Sequence, residues 1–157
     1  MPHNSRRWPW LVFIVAGCPT YGTAQTNWQA VGTGDFQNPA NWSAGVPTSG
    51  TDASIVNGTV VTPTIVNLSS GKGSVLNLSV DSHDTLNVGS GSSLAVYGTQ
   101  LNNSGSLTIN GGGGNDGFLY LPANLSSSFL TVEGGGSITL NSGDSNGQAS
   151  IQPIVFG

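Results

Sequence analysis

Asp81-Ser82-His83-Asp84 gathers two carboxylates, a hydroxyl and an imidazole within four consecutive residues. Glycoside cleavage needs two carboxyl groups facing each other across a sugar, about 5–5.5 Å apart for retention or about 6.5–9.5 Å apart for inversion, and residues three apart in a turn can reach such spacings. Asp and Ser are also the ordinary makings of a turn in which side-chain oxygens satisfy nearby backbone donors, and this is the stronger reading. A second candidate, Gly111-Gly112-Gly113-Gly114-Asn115-Asp116-Gly117-Phe118-Leu119, fits the calcium nonapeptide at every specified position. Calcium in such repeats sits between stacked copies and takes about 6–8 oxygens. Here one copy stands alone: Gly134-Gly135-Gly136 lacks the aspartate, and Gly143-Asp144-Ser145-Asn146-Gly147 is spaced differently. A glycine turn without metal is therefore expected. A third group is aromatic: Trp28, Trp42, Tyr97 and Tyr120 have rings that stack on sugars if they are exposed. No nucleophile elbow, phosphate loop or histidine pair at metal spacing occurs. The sequence thus assigns no catalytic, cofactor-binding or metal-binding residue, and an enzyme is not expected.

The elements that position these residues are read from composition and period. The chain has 157 residues, enough for about one domain. It carries 24 Gly and 8 Pro, with 3 Lys+Arg against 7 Asp+Glu. Beyond Arg6 and Arg7 the only basic residue is Lys72, which excludes a nucleic-acid surface, since phosphates are neutralised by clustered cations. The shortage of Glu, Lys and Arg argues against surface helices. The small net charge of −4 argues against charge-driven disorder.

From residue 51 onward, short apolar-x-apolar units alternate with Gly/Ser/Asn turns: Leu76-Asn-Leu78, Leu86-Asn-Val88, Leu94-Ala-Val96, Leu107-Thr-Ile109, Leu119-Tyr-Leu121, Leu130-Thr-Val132, Ile138-Thr-Leu140 and Ile151-Gln-Pro-Ile154. Two units recur about every 21 residues, the length of one coil of a β-solenoid whose apolar residues point into a continuous core. Leu76, Leu86, Leu94, Leu107, Leu119, Leu130 and Ile138 are expected to point inward. The rival is a sandwich, which needs longer strands and inequivalent edges. An ice-binding face would need a ladder of Thr-x-Thr, and only Thr62-Pro-Thr64 is found.

Two segments precede the repeats. Residues 25–50 hold Trp28, Phe36 and Trp42 among turn formers, too aromatic for a linker, and are read as a cap over one end of the core. Residues 1–24 read as a secretory signal: Arg6 and Arg7, a short apolar run from Trp8 to Cys18, then Gly22-Thr23-Ala24 with cleavage after Ala24. A competing site is Val15-Ala16-Gly17-Cys18, a lipoprotein-like box in which Cys18 would be acylated. The apolar run is well short of the roughly 18 residues that span a bilayer. Cys18 is the only cysteine, so stability rests on backbone ladders and packing rather than disulfides.

A family resemblance follows from these residues. Trp28…Gly34-Asp35-Phe36…Asn38-Pro39-Ala40-Asn41-Trp42-Ser43-Ala44-Gly45-Val46-Pro47, followed by Asp52-Ala53-Ser54-Ile55, resembles the opening of bacterial surface and autotransporter-type proteins. Gly91-Ser-Ser-Leu94-Ala-Val96 and Leu101-Asn102-Asn103-Ser104-Gly105-Ser106-Leu107-Thr-Ile109 are similar to their passenger repeats. The resemblance implies an all-β, right-handed parallel β-helix of the pectin-lyase-like kind, secreted or displayed at the outer membrane, often for adhesion. The partner it implies is a surface glycan or another host or cell-surface ligand. No nucleic acid and no membrane span in the mature chain are expected. No stretch with the alternating pattern of a translocation barrel is found. Ile151-Gln-Pro-Ile-Val-Phe-Gly157 has no polar cap behind it, so the chain is expected to continue into further repeats or a translocation domain. Two alternatives stand beside the adhesin-like or stalk reading. One is a carbohydrate-binding module using Trp28, Trp42, Tyr97 or Tyr120. The other is part of a polysaccharide-active β-helix whose catalytic coils lie elsewhere; the absence of Arg from 25–157 disfavours action on acidic sugars.

Overall fold

The computed structural model describes residues 23–122, 130–132, 136–142 and 148–154. The signal-like segment with Arg6, Arg7 and Cys18, the second and third glycine motifs apart from Gly136, and the final 155–157 lie outside the described residues. In chain order the elements are β1 (Ala24–Asn27), β2 (Thr33–Asp35), a 3-10 turn (Pro39–Asn41), β3 (Thr51–Ile55), β4 (Thr64–Leu68), β5 (Gly71–Val75), β6 (Leu78–Val80) and β7 (Asp84–Val88). They continue with β8 (Ser92–Val96), β9 (Leu101–Asn103), β10 (Ser106–Gly111), β11 (Gly117–Pro122), β12 (Leu130–Val132), β13 (Ser137–Ser142) and β14 (Ala149–Ile154).

These strands form three sheets, ordered β1-β3-β6-β9-β12, β2-β4-β7-β10-β13 and β5-β8-β11-β14. Every ladder among the described residues is parallel. The architecture is all-β with parallel sheets and no closed barrel. The sandwich reading is thereby overturned, since its strands would pair antiparallel. From β4 onward the chain visits the second, third and first sheets in rotation, laying each strand beside the one from the previous circuit.

Alternation fixes which side chains go inward, because successive residues of a strand point to opposite faces. In the second sheet Val66, Leu86 and Leu107 pair in register and are all buried, as are Leu68, Val88 and Ile109. In the third, Leu94 pairs with Leu119 and Val75 with Val96, again buried. In the first, Ala53, Leu78 and Leu101 form one inward column, and Ile55, Val80 and Asn103 the next. Asn103 is a polar member of that column; its Nδ2 donates to the Ser137 carbonyl at 2.7 Å. On the outer face of the second sheet the polar partners join directly: Asn87 Nδ2 donates to Asn67 Oδ1, and Asn141 Nδ2 to Asn110 Oδ1, both at 3.0 Å.

Corners recur. The chain enters the third sheet through Gly71 at φ 77° and then Gly91 at φ 74°, the left-handed region open to glycine. Gly73 has a different reason. A Cβ there would lie 3.0 Å from Leu68 Cδ2, 3.1 Å from Phe36 Cε1 and 3.2 Å from Leu94 Cδ1, so the Phe36 ring occupies the place of a β5 side chain.

Two sequence expectations are corrected by this register. Leu76 is only half-buried, because Leu76-Asn-Leu78 is not one strand: β5 ends at Val75, β6 begins at Leu78, and Leu76 lies at the corner between them. The period is also not uniform. Thr64 pairs with Asp84 and Thr85 with Ser106, steps close to 21, but Ser106 pairs with Ser137 and Gly117 with Ala149 across longer connections. Each circuit carries three strands rather than two units. Leu86, Leu94, Leu107 and Leu119 do point inward. Ile138 is half-buried against the core, and the Leu130 side chain lies outside the described residues.

Candidate functional site

The aromatic residues separate into two groups. Trp28, Phe36 and Trp42 are buried at 2 %, 0 % and 3 % exposure. Trp42 meets Trp28 edge-to-face at 5.0 Å and Phe36 at 5.2 Å, and its indole N–H donates to the Phe36 carbonyl at 2.8 Å. The chain reaches this packing through the Pro39–Asn41 turn, where Asn38 Oδ1 accepts from the Ala40 N–H. Farther on, Thr26 Oγ donates to the Gly45 carbonyl at 3.0 Å and accepts from the Ala44 N–H at 3.1 Å. No flat face of either tryptophan is presented to solvent, so these rings do not form a sugar platform.

Tyr97 and Tyr120 differ. Tyr97 is 40 % exposed and Tyr120 half-buried, and both line a groove of about 520 Å³ on the outer face of the third sheet. Strand register explains the shape. Ser74, Ala95 and Tyr120 sit side by side on β5, β8 and β11, as do Lys72, Ser93 and Phe118. Small side chains on β5 and β8 make the floor, and aromatic ones on β11 stand above it. Phe118 stacks on Tyr120 with ring centroids 5.5 Å apart and planes 26° from parallel, which fixes the ring that lines the groove. Sequence reasoning named the two tyrosines but missed Lys72 as their neighbour. Residues 72, 97 and 120 come together only through the three-strand register.

Asp81-Ser82-His83-Asp84 is a tight connection from β6 to β7. Asp81 Oδ1 accepts from the Ser82 N–H at 2.7 Å, the Asp81 carbonyl from the Asp84 N–H at 3.0 Å, and Ser82 Oγ bonds His83 Nδ1 at 2.8 Å. Asp84 is buried at 2 % exposure, and its Oδ1 accepts from the Gly58 N–H at 2.8 Å, tying the 56–63 connection to the next circuit. Burial raises its pKa above the ordinary carboxylate value; the bond from the Gly58 N–H and the nearby Thr64 hydroxyl act in the opposite direction. Its Oδ2 has no hydrogen-bond partner among the described residues. The two carboxylates therefore serve the backbone rather than facing each other across a cleft.

Asp116, the acid of the glycine nonapeptide, is used in a similar way. Its Oδ1 accepts from the Gln148 N–H at 2.8 Å, and its carbonyl from the Gly91 N–H at 3.0 Å, so it joins three successive circuits. Among the described residues no three His, Cys, Asp or Glu side chains gather as metal ligands, and no helix is long and apolar enough to cross a membrane. No family model, curated protein or solved structure matches this chain.

Proposed function

We propose that the chain is an exported, non-enzymatic β-solenoid that serves as a cell-surface scaffold, adhesin-like or stalk-like. The observation that carries this reading is the rotation of the chain through three parallel sheets, each strand laid in register on the last with its apolar residues inward. Such stacking is the economy of a solenoid: each circuit buries its apolar face only against its neighbours, and the product is an elongated surface rather than a deep cleft. Right-handed winding follows from the strong preference of parallel crossovers for that hand. Trp28, Phe36 and Trp42 act as the cap of the first circuit, covering core and strand edge that would otherwise be open. Export is supported by the Arg6-Arg7 flank, the short apolar run and the Gly22-Thr23-Ala24 site. The autotransporter-type resemblance supports surface display.

The test is expression of the full chain in a bacterial host with cell fractionation and N-terminal sequencing. Expected is a processed chain outside the inner membrane, beginning at Gln25, or at an acylated Cys18. An unprocessed chain retained in the cytoplasm overturns the export reading.

A further inference from the structure

We propose that the groove on the outer face of the third sheet binds a saccharide, and that the sugar it takes carries a carboxylate. Ser74, Ser93 and Ala95 form a floor of small side chains, Tyr97 and Tyr120 supply aromatic surface, and Lys72 stands on the same face. A volume of about 520 Å³ falls in the range of small-molecule sites.

Each lining group selects against other ligands. The strands beneath the centre of the groove, β8 and β11, are paired on both sides; the edge strands β5 and β14 lie at its margins, where the Lys72 carbonyl already accepts from Gln37 Nε2, so the centre offers no free strand edge to an extended peptide. A single cation does not neutralise a row of phosphates, which excludes nucleic acid. Serine hydroxyls on the floor disfavour a purely apolar chain, because their hydrogen bonds to water would be lost without replacement. A pyranose meets all of these demands. Its C–H face lies on the Tyr120 ring, and its hydroxyls exchange hydrogen bonds with Ser74 and Ser93.

Charge completes the assignment. The chain carries a net charge of −4, yet Lys72 is the only Lys or Arg among the described residues, and none of their carboxylates pairs with it or lines the groove. Among the described residues the groove thus carries the one Lys or Arg side chain. An ammonium with three donors and no ion-pair partner among the described residues is suited to a carboxylate, and charge-assisted bonds are the stronger kind. Sialic and uronic acids share this chemistry.

The test titrates the purified full chain with 3′-sialyllactose, a galacturonate trimer and lactose, following backbone amides by NMR. At least one acid should bind about tenfold or more tightly than lactose, consistent with one added charge-assisted bond. Shifts should centre on Ser74, Ser93 and Ala95, and the acid that binds more tightly identifies the source. Tyr120→Ala should weaken binding about tenfold, while Lys72→Gln should abolish the preference for acid and leave the amide spectrum folded. Binding of lactose equal to both acids, no binding of either acid, or shifts confined to another face would overturn the proposal. The wild-type shift map stands even if a variant fails to fold. The measurement is made on protein in solution, so its failure leaves the export reading untouched, and the reverse holds.

Discussion

The two ends of the strand stack are built from the same alternating pattern and are buried to different degrees. At the β1/β2 end, Trp28, Phe36 and Trp42 fold over the first strands and lose nearly all contact with water, while Gln37 Nε2 donates to the Lys72 carbonyl of β5 at 3.1 Å. At the β13/β14 end, Leu140 pairs with buried Ile109 and Ile151 with buried Leu119, yet these two remain 46 % and 42 % exposed. Inward register alone does not bury a side chain. In a stack, each layer is covered only when another layer or a cap lies on its far side, and stability is a sum over such interfaces. In the proposed capping role, Trp28, Phe36 and Trp42 supply that second interface, each ring able to bury on the order of 150–250 Å².

The largest effect should come from removing the rings. Trp42→Ala deletes both edge-to-face contacts and the bond to the Phe36 carbonyl, and is expected to cost about 3–5 kcal/mol in chemical denaturation. Next is the contrast between equivalent register positions. Ile109→Ala in mid-stack should cost about 2–5 kcal/mol, whereas Leu140→Ala, its register partner on β13, should cost about 1 kcal/mol or less because its side chain is half in water already. Equal losses at the two positions would remove the asymmetry between the ends.

A smaller change is expected at Gly73. Adding a methyl there crowds Leu68, Phe36 and Leu94, and Gly73→Ala should destabilise by about 1–3 kcal/mol. Combined with Phe36→Ala, the same substitution should cost less than the sum of the two, since the ring it collides with is gone.

The pH dependence of the middle of the stack is smaller again and has a definite sign. Asp84 has a folded pKa raised above its ordinary value of 3.8, mainly by burial, so the folded chain holds its proton more tightly than the unfolded chain. That contribution to stability is fully present below 3.8 and is lost as pH rises through the raised folded value. Asp84→Asn should flatten this segment of the stability–pH curve while keeping an acceptor for the Gly58 N–H. The smallest effect is expected from calcium. With Asp116 Oδ1 engaged by Gln148, millimolar calcium added to metal-free protein should leave the Tm within about 1 °C, and a rise of several degrees would reopen the nonapeptide as a metal site.

The all-β class, the parallel stacking and the burial of Trp28 and Trp42 were legible because apolar-x-apolar spacing and aromatic residues among turn formers report burial directly. Strands β5 and β9 were not. In β5 the first inward position is Gly73, hidden as a core residue because Phe36, distant in sequence, fills its space. In β9 the second inward position is Asn103, whose Nδ2 donates to the Ser137 carbonyl of a later strand. Both substitute a long-range contact for an apolar side chain, and local pattern does not record such contacts. Leu76 misleads for the converse reason: it is apolar and correctly spaced, but it occupies a corner. The groove at Lys72, Tyr97 and Tyr120 escaped the sequence for a related cause, being assembled from residues distant in sequence that meet only through the pairing of β5, β8 and β11.

The central claim is the parallel, in-register stacking of successive circuits. Cross-strand NOEs between backbone protons of β4, β7 and β10 test it most directly. The account predicts a parallel pattern linking Val66 to Leu86 and Leu86 to Leu107, repeated along each strand in the same direction. Antiparallel NOE patterns among these strands, or none between Leu86 and Leu107, would contradict it.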